Sequence, residues 1–227
     1  MRRFISVLLV LILAVPAVEA GRKRPKTGKV KDGKYLDNES AFSLALHENW
    51  KAKTFKEKQD NHIRVVFTQK KPAIPAHFQD AKEYTQFPRL VVFADTSTMG
   101  IHPFLDSLRS ETYKSDQKKE ILKEFDILNQ NEIIPVGRGS FEAGGERGTV
   151  WKAKAPYTIE IQASPSAAGG ERKKGEYGGA IFAVKHGDVI VVAGLFCEYD
   201  FFQSILTEAG TIMASLKWPE TEEEPET

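Results

Sequence analysis

Val189-Ile190-Val191-Val192-Ala193-Gly194-Leu195-Phe196, VIVVAGLF, is apolar at nearly every position. A strand wetted on one side alternates apolar and polar residues. A run apolar in both phases belongs to a strand covered on both faces. This stretch therefore predicts the centre of a sheet. Just before it, Ala180–Val184 is a second apolar run, and His186-Gly187-Asp188 between them has hairpin-turn chemistry. After it, Phe202, Ile205, Leu206, Ala209, Ile212, Met213 and Leu216 fall at helical spacing. This predicts an amphipathic helix capped by Asp200 and packed on the sheet.

Working back towards the start, Thr158 to Ala163 alternates, with Ile159, Ile161 and Ala163 inward. GRGSFEA and RGTVWKAKA flank Gly144-Gly145, a pair suited to a two-residue hairpin with positive φ. The period changes before that. Ile101, Phe104, Leu105 and Leu108 read as a helix opened by Pro103, and Ile121, Leu122, Phe125 and Leu128 as a second one. Earlier still, RLVVFA (Arg89–Ala94), Ile63/Val65/Phe67 and Phe42/Leu44/Leu46 have strand character. Short connections favour antiparallel pairing, because parallel crossovers need a helix between strands. The expected fold is α+β: a twisted antiparallel sheet flanked by helices.

The first twenty residues pair Arg2 and Arg3 with an apolar run from Phe4 to Val15, and Val18-Glu19-Ala20 has the small residues of a cleavage site. Residues 1–20 are expected to be a secretory signal peptide, and the mature protein to be exported, periplasmic or secreted, with no membrane anchor left. Residues 21–34 are strongly basic and residues 219–227 strongly acidic. Both are expected to be mobile, a basic linker and an acidic disordered tail around a single domain spanning 35–218. The formal net charge is +1 and the two ends offset one another, so nucleic-acid binding has no support. With Cys197 the only cysteine, no intrachain disulfide forms and packing must hold the domain.

AGGER occurs twice, at Ala143–Arg147 and Ala168–Arg172. The first copy is expected to be a hairpin turn and the second to open a mobile Gly- and Lys-rich loop, a coincidence of turn chemistry. Arg147 and Trp151 share a face by strand alternation. Arg138, Glu146, Arg147 and Trp151, with Arg172, Lys173 and Lys174, are the candidate binding residues. GRGSFEAGG lacks the Gly-Lys-Ser/Thr of a phosphate loop and the spacing of a dinucleotide loop. The five histidines show no metal-ligand spacing, and no Gly-x-Ser-x-Gly elbow is present. Cys197 is followed by Glu198 and Asp200, which oppose thiolate formation, so a buried inert thiol is expected. The tryptophans read as packing residues, since sugar stacking would need two exposed on one surface. No catalytic residues, metal or cofactor are assigned.

Tyr35, Phe42-Ser43-Leu44 and Trp50, in YLDNESAFSLALHENW, together with Ile212, Ser215, Leu216 and Trp218, in TIMASLKW, resemble the opening and closing segments of PsbP-like and DcrB-type exported domains. The resemblance spans roughly residues 35–218. It departs at His47-Glu48-Asn49, where such domains often carry a Pro before the Trp. It implies an α/β/α sandwich and a non-enzymatic binding or assembly role. The expected function is an exported accessory protein of the cell envelope that recognises a protein partner. The alternatives are a binder of a small sugar, lipid or peptide and, third, a hydrolase using Cys197 or a serine.

Overall fold

The computed structural model describes residues 26–55, 63–75, 88–109, 134–161 and 171–219. They form two antiparallel sheets and two helices, an α+β architecture. The main sheet has seven strands, in the order β4 (Trp50–Thr54), β5 (Ile63–Gln69), β6 (Arg89–Thr96), β10 (Val189–Glu198), β9 (Glu171–His186), β8 (Glu146–Ile161) and β7 (Ile134–Ala143). VIVVAGLF lies in β10, the middle strand. Val191, Ala193, Leu195 and Cys197 enter one buried cluster, while Ile190 and Val192 enter the other. Both faces of the sheet are covered, as an unbroken apolar run requires.

The first cluster is closed by helix α2 (Phe202–Ala214), through Phe202, Ile205, Ala209, Ile212 and Met213. The second is closed by helix α1 (Ile101–Arg109), through Phe104 and Leu105. A small three-stranded sheet, β1 (Gly28–Lys31), β2 (Lys34–Asp37) and β3 (Ser43–Ala45), adds Tyr35, Phe42 and Leu44 to the α2 side. It is tied to the exit of α2. Ser43 and Lys217 exchange backbone hydrogen bonds of 2.9 and 3.0 Å, and Ala45 N–H donates to Ser215 Oγ at 2.8 Å.

Arg64 holds the small sheet to the large one. The pairing of β5 with β6 shifts register between Ile63 and Val65, which leaves Arg64 as the bulged residue. Its side chain runs under β2, with Nε donating to Asp37 Oδ2 at 2.7 Å and Nη1 to Glu39 Oε2 at 2.6 Å. Its carbonyl accepts the Thr27 hydroxyl at 2.7 Å and lies 3.1 Å from the Tyr35 hydroxyl. Asp37 Oδ1 also accepts the backbone N–H groups of Glu39 and Ser40. Each charge in this interior network therefore has the partners that burial demands.

Several expectations are corrected. Residues 28–34, read as part of a basic linker, belong to β1, its turn and the start of β2. Gly28 makes this possible, because a Cβ there would fall 2.4 Å from the Tyr35 ring. The Lys side chains of β1 point out into water, so a basic run is compatible with a paired strand. Residues 171–174, read as a loop, open β9, and Thr158 onward continues β8 rather than forming a separate strand. One of the glycines of β9, Gly178, is there for packing. A Cβ on Gly178 would sit 2.5 Å from the Phe202 ring. Pro156 lies two residues beyond Lys154, the last residue of β8 paired with β7 among the described residues.

Asp200 is not the cap of α2. It lies in a 3-10 turn, Tyr199–Phe201, whose Tyr199 carbonyl takes the Phe202 N–H. Helix α1 begins two residues ahead of Pro103, which then occupies the first turn, where N–H groups lack helical partners anyway. The predicted helix around 121–128, residues 1–25 and residues 220–227 lie outside the described residues.

Candidate functional site

The β7–β8 hairpin turns at Gly144 and Gly145, with φ of 58° and 80°. The turn also explains why position 144 lacks a side chain. A Cβ would fall 2.6 Å from Trp218 Cδ1, so the indole packs directly against the turn. Down the hairpin, Arg138 pairs with Trp151, Ser140 with Thr149 and Glu142 with Arg147. Directly opposed residues share a face, so these six side chains project from the α1 side.

There the Arg138 guanidinium sits 4.6 Å from the Trp151 ring. His102 of α1 stacks on the same indole, with centroids 6.1 Å apart and planes at 18°. Arg147 Nη2 lies 3.5 Å from Ser140 Oγ. Ile101, His102, Arg138, Ser140, Arg147, Gly148 and Thr149 line an open cleft of about 620 Å³. The Trp151 indole N–H is buried and has no acceptor among the described residues. Two guanidiniums, a hydroxyl pair and an aromatic plane suit a carboxylate- or phosphate-bearing ligand. An exposed cation held on an indole contributes about 0.5–1 kcal/mol, which favours this direction about two- to five-fold.

Three of the sequence-predicted residues, Arg138, Arg147 and Trp151, thus meet in one place. The other four do not join them. Glu146 is one residue out of phase with Arg147 and faces the α2 side. There its Oε1 lies 2.8 Å from His186 Nδ1, and His186 stacks on Trp218 at 5.1 Å. Arg172, Lys173 and Lys174 pair with Glu160, Ile159 and Thr158, at the far end of β8. Nine residues of strand, about 30 Å, separate Trp151 from that end. In both AGGER copies the Glu-Arg pair enters a strand, but the two strands put it at opposite ends of the sheet. Ser140 was within reach of the alternation argument, two residues from Arg138. His102 was not, because only the docking of α1 brings it to Trp151.

A second polar cavity, of about 460 Å³, lies between α2 and the β4–β5 end of the sheet. Glu208 stands in it, accepting Asn49 Nδ2 at 2.9 Å, Trp50 Nε1 at 2.6 Å and Gln69 Nε2 at 3.1 Å. Partial burial pushes its carboxyl pKa up, but these donors and His47 outweigh that and hold it below the ordinary value. A depressed folded-state pKa stabilises above the unfolded value, and the benefit fades as pH falls through the folded one. Urea midpoints of the native protein are therefore expected to drop between about pH 5 and pH 3. Glu208→Gln, which has no carboxyl to titrate, is expected to show a shallower fall. Identical slopes would remove Glu208 from the account.

Cys197 is 2 % exposed, and burial, followed by the neighbouring Glu198, pushes its thiol up to about 12. A thiolate is the reactive form, so alkylation at pH 8 is expected to be very slow in the native protein and rapid in urea. Fast native labelling would reopen a role for Cys197 as a nucleophile. Among the described residues, no helix is long and apolar enough to cross a membrane.

No family model matches the chain, and no curated protein sequence matches it. Solved structures similar to it include a cyanobacterial PsbP from Synechocystis, at 9 % identity and a TM-score of 0.44, covering 91 % of this chain and 99 % of that one. LpqN of Mycobacterium tuberculosis, described as involved in cell envelope biogenesis, aligns at 12 % identity and 0.43, covering 86 % and 91 %. A protein of Bacteroides thetaiotaomicron aligns at 14 % and 0.36, where 85 % of this chain spans 50 % of that one.

Proposed function

We propose that this chain is an exported, non-catalytic binding protein of the cell envelope, which recognises a protein partner through the face of the β7–β8 hairpin. The observation that carries this reading is the open cleft in which Arg138 is fixed over Trp151, with Arg147 and Ser140 beside it. Cations fixed on a rigid hairpin lose little freedom when an anionic group binds. The buried, neutral Cys197 fits a protein that performs no thiol chemistry. The apolar start of the sequence supports export. A second reading, a small anionic ligand in the same cleft, is favoured by its volume of about 620 Å³, within the range of small-molecule sites.

The test is a photo-crosslinking amino acid placed at Ser140 in growing cells. One envelope protein is expected to be trapped, and the adduct to disappear when Arg138→Ala and Arg147→Ala are added. Both arginines are exposed, so the double variant should keep its unfolding free energy within about 0.5–1 kcal/mol. An adduct indifferent to the arginines would sink the partner reading. A native mass spectrum carrying an arginine-dependent small adduct would favour the ligand instead.

A further inference from the structure

The chemistry of the cleft has a match within the chain itself. Its face carries Arg138, Arg147, His102 and, on the adjoining β9, Lys185, whose Nζ donates to the Met99 carbonyl at 2.9 Å. Glu142, opposite Arg147, is the carboxylate on the same hairpin face. The segment from Pro219 to Thr227, PETEEEPET, has five glutamates and no cation. Its point of departure is fixed, because Trp218 lies against Gly144 at the hairpin turn. Arg147 and Arg138 lie about 10 and 20 Å down the hairpin from that turn. Nine extended residues reach about 30 Å. Trp218 leaves on the α2 side and the cleft opens on the α1 side. Between them stands only β7, the outermost strand, which has no further strand beyond it among the described residues.

We propose that the Arg138–Arg147 cleft is an acidic-peptide site and that its resident occupant is the chain's own segment 219–227, passing around the β7 edge. This rests on the cleft being the recognition surface, and it adds the ligand class and a competitor. A tethered ligand acts at an effective concentration on the order of millimolar. Several carboxylate–guanidinium contacts made together, with an intrinsic Kd on the order of a tenth of that value, then fill the cleft, and a partner must displace the segment. The tail becomes a threshold that only a more acidic or better-shaped segment passes.

The test uses the full-length mature chain and a version with Glu220, Glu222, Glu223, Glu224 and Glu226 all changed to Gln. The probe is a labelled synthetic peptide, PETEEEPET, followed by fluorescence anisotropy at low and moderate salt. The Gln version is expected to bind it about tenfold or more tightly than the native chain does. That binding should be lost on adding Arg138→Ala with Arg147→Ala, and should weaken steeply with salt. The Arg138 and Arg147 Nε–H resonances should also differ between the native and Gln chains. Equal affinity for the two chains, or binding indifferent to the arginines, would overturn the proposal. So would arginine resonances that are unchanged by the Gln substitutions. If the Ser140 adduct still depends on the arginines in those cases, the recognition surface stands and only the tail's role falls.

Discussion

Arg64→Met is expected to lower the unfolding free energy by about 3–5 kcal/mol, the cost of stranding a buried charge. Its partner, Asp37, has no exposed side-chain surface, and Arg64 has 4 %. Removing the guanidinium takes away the Nε donor at 2.7 Å and the Nη2 donors to Asp37 Oδ1 and the Thr27 carbonyl. What remains around the carboxylate is the Tyr35 hydroxyl at 2.8 Å and two backbone N–H groups. The loss should appear in urea titrations as a shifted midpoint with little change in slope. The double variant Asp37→Leu, Arg64→Met removes both charges and should recover much of the loss, since apolar replacements of buried pairs are often neutral. The Tyr35 hydroxyl would then still have the Thr27 and Arg64 carbonyls within 3.2 and 3.1 Å. A single variant with wild-type stability would mean that the bulge at Arg64 holds the small sheet without its charge.

Phe67→Ala should cost a similar amount, about 3–5 kcal/mol, through a different physical term. Phe67 is fully buried in the cluster beneath α2 and stands between Ala52 of β4 and Leu90 of β6. Its rigid sheet neighbours cannot collapse into the space left behind, so the cavity persists and transfer and cavity costs add. No second substitution on the polar side would rescue it, unlike the ion pair. Phe67→Leu, which keeps most of the volume, should lose clearly less. A domain of this kind has about 5–15 kcal/mol in total, so either variant would remove a large share of its stability. A Phe67→Ala midpoint within error of the native protein would contradict the packing described here.

The architecture was legible where burial acts on both phases of a strand or on one stripe of a helix. VIVVAGLF announced the central strand, and the Phe202 to Leu216 stripe announced α2 and its buried face. Gly144-Gly145 announced a turn because no other residue pair tolerates two positive φ values so readily. Polar sequence was harder to read. ERKKGEYGG carried the composition of a loop, yet its Gly178 makes room for Phe202 and its backbone pairs with β8. Strict alternation would put Arg64 on the face opposite to Val65. Only the bulge, a tertiary event, turns it inward. Half the cleft followed from alternation, which set Arg147 and Trp151 on one face. Glu146 was misplaced for the same reason, being one step out of phase. His102 and Glu208 owe their roles to contacts across 49 and 158 residues or so, beyond any local period.

The backbone exchange between Ser43 and Lys217, with Ala45 reaching Ser215 across 170 positions, also orders events in time. A chain that emerges from its first residue onward has delivered β1, β2 and β3 long before it delivers their fastening. Until Ser215 to Trp218 arrive, Phe42 and Leu44 lack the α2 surface that covers them, and the small sheet is a flap without a hinge pin. Closing so long a loop is entropically expensive and comes after local pairings such as the β9–β10 hairpin. Trp218 is therefore at once the residue that completes the fold and the one from which the acidic segment departs. The acidic sequence is delivered last of all, to a domain whose cleft is already built.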